Sequence, residues 1–597
     1  MSGEGTELSQ LPIEDYAVIG DARGVALVGR NGRIDWWAAP TLDSPPVLAG
    51  IVDPEGGGYF ALAPTGDSRT ERRYVEGTNV LETTFTTSSG RVRVVDAFNL
   101  GVNGTLPWTE LVRKVVLEEG EVELAFELRP GDRFSTVSPY VRRQGDAVLV
   151  DVGDQHLVLT GTGVGEIEVE PHRARGRWRP GKDPCMITVV ATDAEPVFVP
   201  PPERVAERLE QTVATWQRLS SRISYSGRYE EAVRRSALAL ELLFQESSGA
   251  LAAAATTSLP EQLGGSKNWD YRYCWIRDAG LALEALISLG LHEEVQASVS
   301  FLLSAIRRTA PDLHVFYRLD GTVADETEQL GVKGYRDSRP VHSGNSAASQ
   351  RQLGAFGDLF AVVARYCADG HLLDEQTSRL VFELADRCCD LWRREDAGIW
   401  ELGQYHHYTI SKMQCWAALG HALDLVEAGQ VASGHADRWR AEREEIRRFV
   451  EERCWSDAQQ SYTFYAGTNE LDASVLLAGR LGYERGARLA ATIEACRREL
   501  GQGSHLYRYS GMREEEGVFV ACSFWLVDAL AHTGREKEAV ELMDELVATC
   551  NDVGLLSEQQ DPPTGGFLGN FPQALSHLAL VNSAVLLEQH SGGPGQP

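Results

Sequence analysis

A chain of 597 residues, 43% hydrophobic and 24% charged, has ordinary globular proportions and length for more than one domain and a large buried core. Its formal net charge of -29 excludes the basic face that nucleic acid or an anionic membrane needs as a partner, and it suits a neutral small molecule. The ten cysteines include no Cys-x-x-Cys and no metal-ligand spacing with histidine, so they read as reduced core residues, with no metal or other cofactor expected.

The first residues carry neither a basic n-region nor an apolar h-region, and no apolar run is long enough to span a bilayer. The expectation is a cytoplasmic protein. Up to about residue 200 the chain reads as short strands. Segments 25–28 and 34–37 flank Asn31-Gly32, a hairpin signal because both residues tolerate positive φ. Segments 81–87 and 91–97 flank Ser88-Ser89-Gly90. Segments 111–117 and 121–128 are separated by Glu119-Gly120, and 147–152, 156–160 and 186–191 follow. Many short strands with regular turn signals predict an all-β sandwich over 1–202. At least one of Trp36 and Trp37 is expected in its core.

Pro200-Pro201-Pro202 marks a break, and 203–226 reads as a charged linker helix. From 227 the apolar period changes to that of helices. Val233, Ala237, Leu240 and Phe244 share one face, and the same spacing recurs near 277–290, 293–309, 345–368, 372–394, 407–428, 434–452, 470–481, 485–499, 517–533, 535–550 and 571–589. About twelve helices in six hairpins can close into an (α/α)6 barrel spanning 227–590. The tail 591–597 reads as disordered. The long connections 248–276, 310–343, 396–406 and 551–570 should crowd one end of the barrel. Trp, Tyr, Arg, Asp and Glu concentrate there, which marks that end as the active site.

The densest of these connections runs from Asn268 to Asp278, with four aromatics, two arginines and two aspartates in eleven residues. Aromatic faces cover the C–H faces of a pyranose, and Arg and Asp hydrogen-bond its hydroxyls. The competing reading is a helix N-terminus with core tryptophans. Glu401, directly after Trp400, is placed where burial could keep it protonated as a general acid. Glu558, among apolar residues and amides, could be an ionised base held by hydrogen bonds. Taken alone, each also reads as a solvated loop carboxylate. Two such carboxyls facing a sugar are the machinery of glycoside hydrolysis.

The motifs Ile19-Gly-Asp, Asn31 to Trp36, Asp43-Ser-Pro, Thr256 to Pro260, Asn268 to Asp278, Gly398 to Glu401, Asn551 to Glu558, Gly569 to Ala574 and Ser576-His577 together resemble glycoside hydrolase family 15 over nearly the whole chain. This is the glucoamylase-like family, which includes bacterial trehalases and other α-glucosidases. The resemblance implies a β-sandwich followed by an (α/α)6 barrel and an inverting mechanism. It implies Glu401 as general acid and Glu558 as general base, separated by roughly 6.5–9.5 Å to admit a water. It places Arg277 and Asp278 on the glucose unit that is released, with Tyr271 and Trp275 lining that subsite, Trp400 orienting the acid and Arg508 contacting sugar near the cleaved bond. Lys412, His342 and His577 are weaker candidates. The histidine-rich loop 402–407 and the charged stretch 510–516 depart from the bacterial pattern, both on the leaving-group side. The expected function is exo-acting hydrolysis of a small α-glucoside to glucose, with trehalose first. The alternatives are gluco-oligosaccharides of maltose or isomaltose type, or a non-catalytic sugar-binding protein on the same fold. A homo-oligomer is left open.

Overall fold

Asn31-Gly32 turns as its composition requires: Gly32 sits at φ +78°, and strands Val25–Gly29 and Arg33–Ala38 pair antiparallel with Val25 opposite Ala38. The structure is a computed structural model that describes residues 10–101, 104–193, 196–324 and 326–591. Two antiparallel sheets of eight strands each fill the stretch from Tyr16 to Thr192. One runs in the order Tyr16–Gly20, Val25–Gly29, Arg33–Ala38, Tyr59–Pro64, Leu124–Arg129, Arg173–Trp178, Glu168–Glu170, with Pro46–Leu48 beside Arg33–Ala38. The other runs Tyr140–Gln144, Ala147–Val152, Gln155–Thr162, Cys185–Thr192, Thr109–Gly120, Gly90–Phe98, Leu81–Thr86, Arg69–Tyr74.

The sheets face one another. Buried Arg113 on the second pairs with Asp96 at 2.8 Å and donates to the carbonyls of Phe60 and Gly32 on the first, so the charge is fully partnered where it crosses the core. Glu119-Gly120 does not make a hairpin. Thr109–Gly120 stays in the second sheet, and the next strand, Leu124–Arg129, enters the first. Trp36 and Trp37 are both fully buried, because successive strand residues point to opposite faces. Trp37 packs on Phe98 between the sheets, and Trp36 donates its Nε1–H to Ala255 O in the helical half at 2.9 Å.

Helix α1 (Pro202–Arg222) follows the proline break. The helical half contains α2 (Glu230–Leu243), α3 (Ile276–Ser288), α4 (His292–Thr309), α5 (Gly354–Ala368), α6 (Glu375–Leu391), α7 (Thr409–Glu427), α8 (Ala436–Arg453), α9 (Ala487–Leu500), α10 (Val520–His532), α11 (Glu536–Val547) and α12 (Ala574–Ser591). The 3-10 segment Ala473–Ala478 takes the remaining place. Successive packing of α3, α5, α7, Ala473–Ala478, α10 and α12 closes an inner ring, and α2, α4, α6, α8, α9 and α11 lie outside it. Burial follows that division. Inner α10 buries every residue from Val520 to Ala531, whereas outer α8 buries only Trp439, Ile446 and Val450. This is the (α/α)6 barrel.

Two helices expected from periodicity are shorter. The 470–481 segment is 3-10 only, since Asp472 caps its start and Gly479 and Gly482 leave too few residues to propagate an α-helix. The 345–368 segment becomes α-helical only at Gly354, because the Asn345 side chain accepts from Ala347 N and stabilises a separate 3-10 turn, Ser346–Ser349. The first nine residues lie outside the described residues, as does the predicted tail from 592 onward. Among the described residues, no helix is long and apolar enough to cross a membrane. All ten cysteines are free thiols.

Candidate active site

Three of the four long connections, 248–276, 396–406 and 551–570, converge at the end of the ring where α3, α10 and α12 begin, whereas 310–343 supplies no lining residue among the described residues and Asn345 to Ala347 just beyond it do. The converging residues line a pocket of about 200 Å³ that includes all eight site residues expected from sequence: Tyr271, Trp275, Arg277, Asp278, Trp400, Glu401, Arg508 and Glu558. A further connection, 501–519, joins those three. Its strands Gly501–Gln502, His505–Leu506 and Val518–Phe519 form a small antiparallel sheet with Gln559–Gln560 and Phe567–Leu568. That sheet fixes the loop of Arg508 beside the loop of Glu558.

Glu401 is positioned by donors. Trp275 Nε1 donates to its Oε1 at 2.7 Å, and Arg277 Nη2 lies 3.8 Å from the same oxygen. Arg277 also donates to Ile399 O at 2.7 Å, and Gln350 Nε2 donates to Glu401 O at 2.9 Å, so both ends of the Ile399–Glu401 turn are held. The turn is tight: Glu401 itself sits at φ +60°, an uncommon conformation for a residue with a Cβ. Its side chain is 19% exposed at the pocket. Burial raises the Glu401 carboxyl above its ordinary range, against the pull of Arg277 and the Trp275 hydrogen bond. Asp278, in the first turn of α3, lies 3.4 Å from Arg277 Nε and is raised by burial, with Arg277 opposing. Trp400 turns its Nε1–H away from the pocket to Asp472 at 2.8 Å. The ring packs on Phe519 and Trp525, with the Arg508 guanidinium 5.5 Å above it.

Glu558 is only 2% exposed. Gly569 passes directly over it: a Cβ there would fall 2.4 Å from Glu558 Oε2, and Gly569 has φ +74°, so only glycine fits. Against the expectation of an ionised base held by hydrogen bonds, burial disfavours the charged form of Glu558. Burial, then the Glu261 carboxylate, push its carboxyl up to about 8, with Arg508 and the Tyr271 hydroxyl opposing. Crowding adds to burial. Arg508 donates through Nε to Glu516 at 2.6 Å and through Nη2 to Glu261 at 2.5 Å, and it contacts Glu516 again through Nη2. One guanidinium therefore faces three buried carboxyls. Lys267 Nζ adds a contact to Glu516 at 3.1 Å.

Glu261, Lys267 and Asn345 line the pocket without having been read from the sequence, and Trp269, one of the four aromatics of the Asn268 to Asp278 stretch, lines it with them. Glu261 lies one residue beyond the Thr256 to Pro260 motif, which was the only available hint. Of the charged 510–516 stretch, Glu514 and Glu515 are exposed and Glu516 is buried beneath Arg508. In the 402–407 loop, His406 stacks on Tyr465. None of the three weaker candidates lines the pocket. Lys412 Nζ donates to Trp392 O and Arg394 O, His342 stacks on Trp269, and His577 bridges Leu556 N and Ser236 Oγ.

Residues 227–585 match the pattern of Glycosyl hydrolases family 15, and residues 5–199 match that of a trehalase-like N-terminal domain. A trehalase of Thermoplasma acidophilum is 31% identical over 94% of this chain and 98% of its own. A trehalase of Mycolicibacterium smegmatis is 33% identical over 96% of this chain and 91% of its own. Among solved structures, a bacterial glucoamylase in complex with acarbose covers 99% of this chain, with 96% of its own length matched, at TM-score 0.72 and 13% identity, a likeness of fold.

Proposed function

The chain belongs to glycosyl hydrolase family 15, and from that premise we propose that it hydrolyses trehalose, releasing glucose with inversion. The observation that carries this reading is the meeting of Glu401 and Glu558, from separate loops, in one pocket with Arg277, Asp278 and an aromatic wall. The relatives above, named as trehalases along nearly their full lengths, supply the choice of trehalose.

In the proposed cycle the glucose unit to be released lies against Trp275 and Tyr271, with Arg277 and Asp278 on its hydroxyls. Glu401 gives its proton to the leaving oxygen while Glu558 removes one from the attacking water. Burial assists the first task by holding a proton on Glu401. The second requires Glu558 to lose the proton that burial favours, so the base must be ionised before the water is activated.

The assignment is tested by activated chemistry. Glucosyl fluoride has a leaving group that needs no protonation, so Glu401→Gln should retain turnover of it while losing trehalose hydrolysis by roughly a thousandfold or more. Glu558→Gln should lose both. The reverse pattern would exchange the two roles. A panel of trehalose, maltose, isomaltose, maltotriose and starch, followed by NMR, tests substrate and stereochemistry. From α,α-trehalose, inversion should release β-glucose from the attacked unit and α-glucose from the leaving unit in equal initial amounts. Initial α-glucose without β-glucose would overturn inversion, and preference for maltotriose or starch would overturn trehalose.

A further inference from the structure

Three carboxyls, Glu261, Glu516 and Glu558, crowd around Arg508, and Glu516 also has Lys267. All three are at most 4% exposed. Two cations cannot neutralise three buried anions, so the cluster retains a proton, and the geometry distinguishes where it can sit. Glu261 and Glu516 both contact Nη2 of Arg508, which brings their carboxyls against each other. A proton on Glu261 therefore finds a carboxylate acceptor in Glu516. Glu516 is the member held ionised: against burial, Arg508 and Lys267 keep it below its ordinary range. Glu558 faces Glu261, Arg508, Glu516 and the Tyr271 hydroxyl, and Gly569 is flush against its carboxyl.

We propose that Glu261 is a positioning residue for the reaction: it carries the cluster's retained proton, hydrogen-bonded to Glu516, and so leaves Glu558 free to ionise as base. This rests on Glu558 being the base. The proton moves only between carboxyls, from Glu558 to Glu261, and no other reactant enters. The arrangement is a carboxyl–carboxylate pair titrating as a unit beside the working carboxylate. Burial raises Glu261 to about 7 and Glu558 to about 8, so the two compete for one proton, and the contact with Glu516 is what distinguishes Glu261.

The test uses the full chain and two isosteric variants. In the working enzyme Glu261 is already neutral, so Glu261→Gln should leave the acidic limb of the kcat/KM profile within a few tenths of a pH unit of the wild type. Glu516→Gln leaves two carboxyls beside the same two cations, so no proton need be retained, and the acidic limb should move down by about one pH unit. An infrared difference spectrum of wild type against Glu261→Gln at neutral pH should show the carbonyl stretch of a protonated carboxyl, lost in the variant. A downward shift of the limb by about a unit in Glu261→Gln would mean that Glu261 is charged in the working enzyme, and would overturn the proposal. So would absence of the infrared band, a reading that does not depend on activity. If Glu558→Gln retains turnover, the assignment of the base fails instead, and the infrared result alone then decides where the cluster keeps its proton.

Discussion

The Trp275–Glu401 contact links one hydrogen bond to the pH dependence of the reaction. An N–H donated to a carboxylate stabilises its ionised form, so Trp275→Phe should raise the pKa of Glu401. A general acid works protonated, and the basic limb of kcat/KM should therefore move to higher pH by roughly half a unit to one unit. A downward movement would contradict the geometry. A second titration lies outside the pocket. Glu241 on α2 is 7% exposed, its Oε1 has no hydrogen-bond partner among the described residues, and burial pushes it from 4.5 up to about 8. Its folded pKa is raised, so its contribution to stability is complete below the unfolded value, declines as pH rises and is gone once pH has passed about 8. Glu241→Gln carries no such loss. Its advantage over wild type should be greater at pH ~9 than at pH ~5, by up to a few kcal/mol, measured as the difference in Tm. An equal difference at both pH values would show that Glu241 does not titrate on unfolding.

At the scale of the element, tight turns set the two glutamates. Gly569→Ala adds a Cβ at positive φ against the Glu558 carboxyl. The strain should cost about 1–2 kcal/mol, and kcat should fall at least tenfold or so as Glu558 is displaced. Unchanged kcat would mean that the carboxyl does not need that place. Elements also separate what the sequence discloses from what it withholds. The inner and outer helices were legible because apolar spacing of 3.6 survives whatever the partner. The 3-10 segment Ala473–Ala478 was not, since its conformation depends on the Asp472 cap, and Asp472 also accepts from Trp400, 72 residues away. Strand Arg69–Tyr74 was missed because it is a polar edge strand with only Arg72 turned inward. Seven of the eight expected pocket residues lie in motifs that carry local chemistry, and Arg508 was reached through the family resemblance. Glu261 lies in no such motif, because its meaning comes from Arg508, 247 residues on. Nor can a run of three glutamates, Glu514 to Glu516, reveal which one folding turns inward.

At the scale of the molecule, the β-sandwich reaches the loops that build the pocket. Arg72, with a fully buried side chain, forks onto Asp552, and Asn551 Nδ2 donates to Glu14 O and Tyr16 O, so the start of the Glu558 loop is anchored on the sheets. Arg272 donates to Ser44 O at 2.9 Å, and Tyr335 donates to Leu11 O at 2.9 Å, bracing two further loops. Arg72→Ala should cost roughly 2–4 kcal/mol by taking the fork from Asp552, which keeps Arg30 at 2.8 Å, and the donor from the carbonyls of Glu14, Asp15 and Val28, with the loss seen as a lower Tm. It should also lower kcat, because the anchored loop carries the proposed base. Loss of stability with full kcat would show that the brace does not reach the chemistry. The Asn551–Asp552 anchorage also bears on how such a chain can vary. If the sheets were an appendage, a foreign sandwich could be grafted onto this barrel and the graft judged by solubility alone. With the Glu558 loop seated on Glu14, Tyr16 and Arg72, each graft would also redraw the position of a proton-transfer group, so the boundary between the halves is a poor place to cut and recombine relatives.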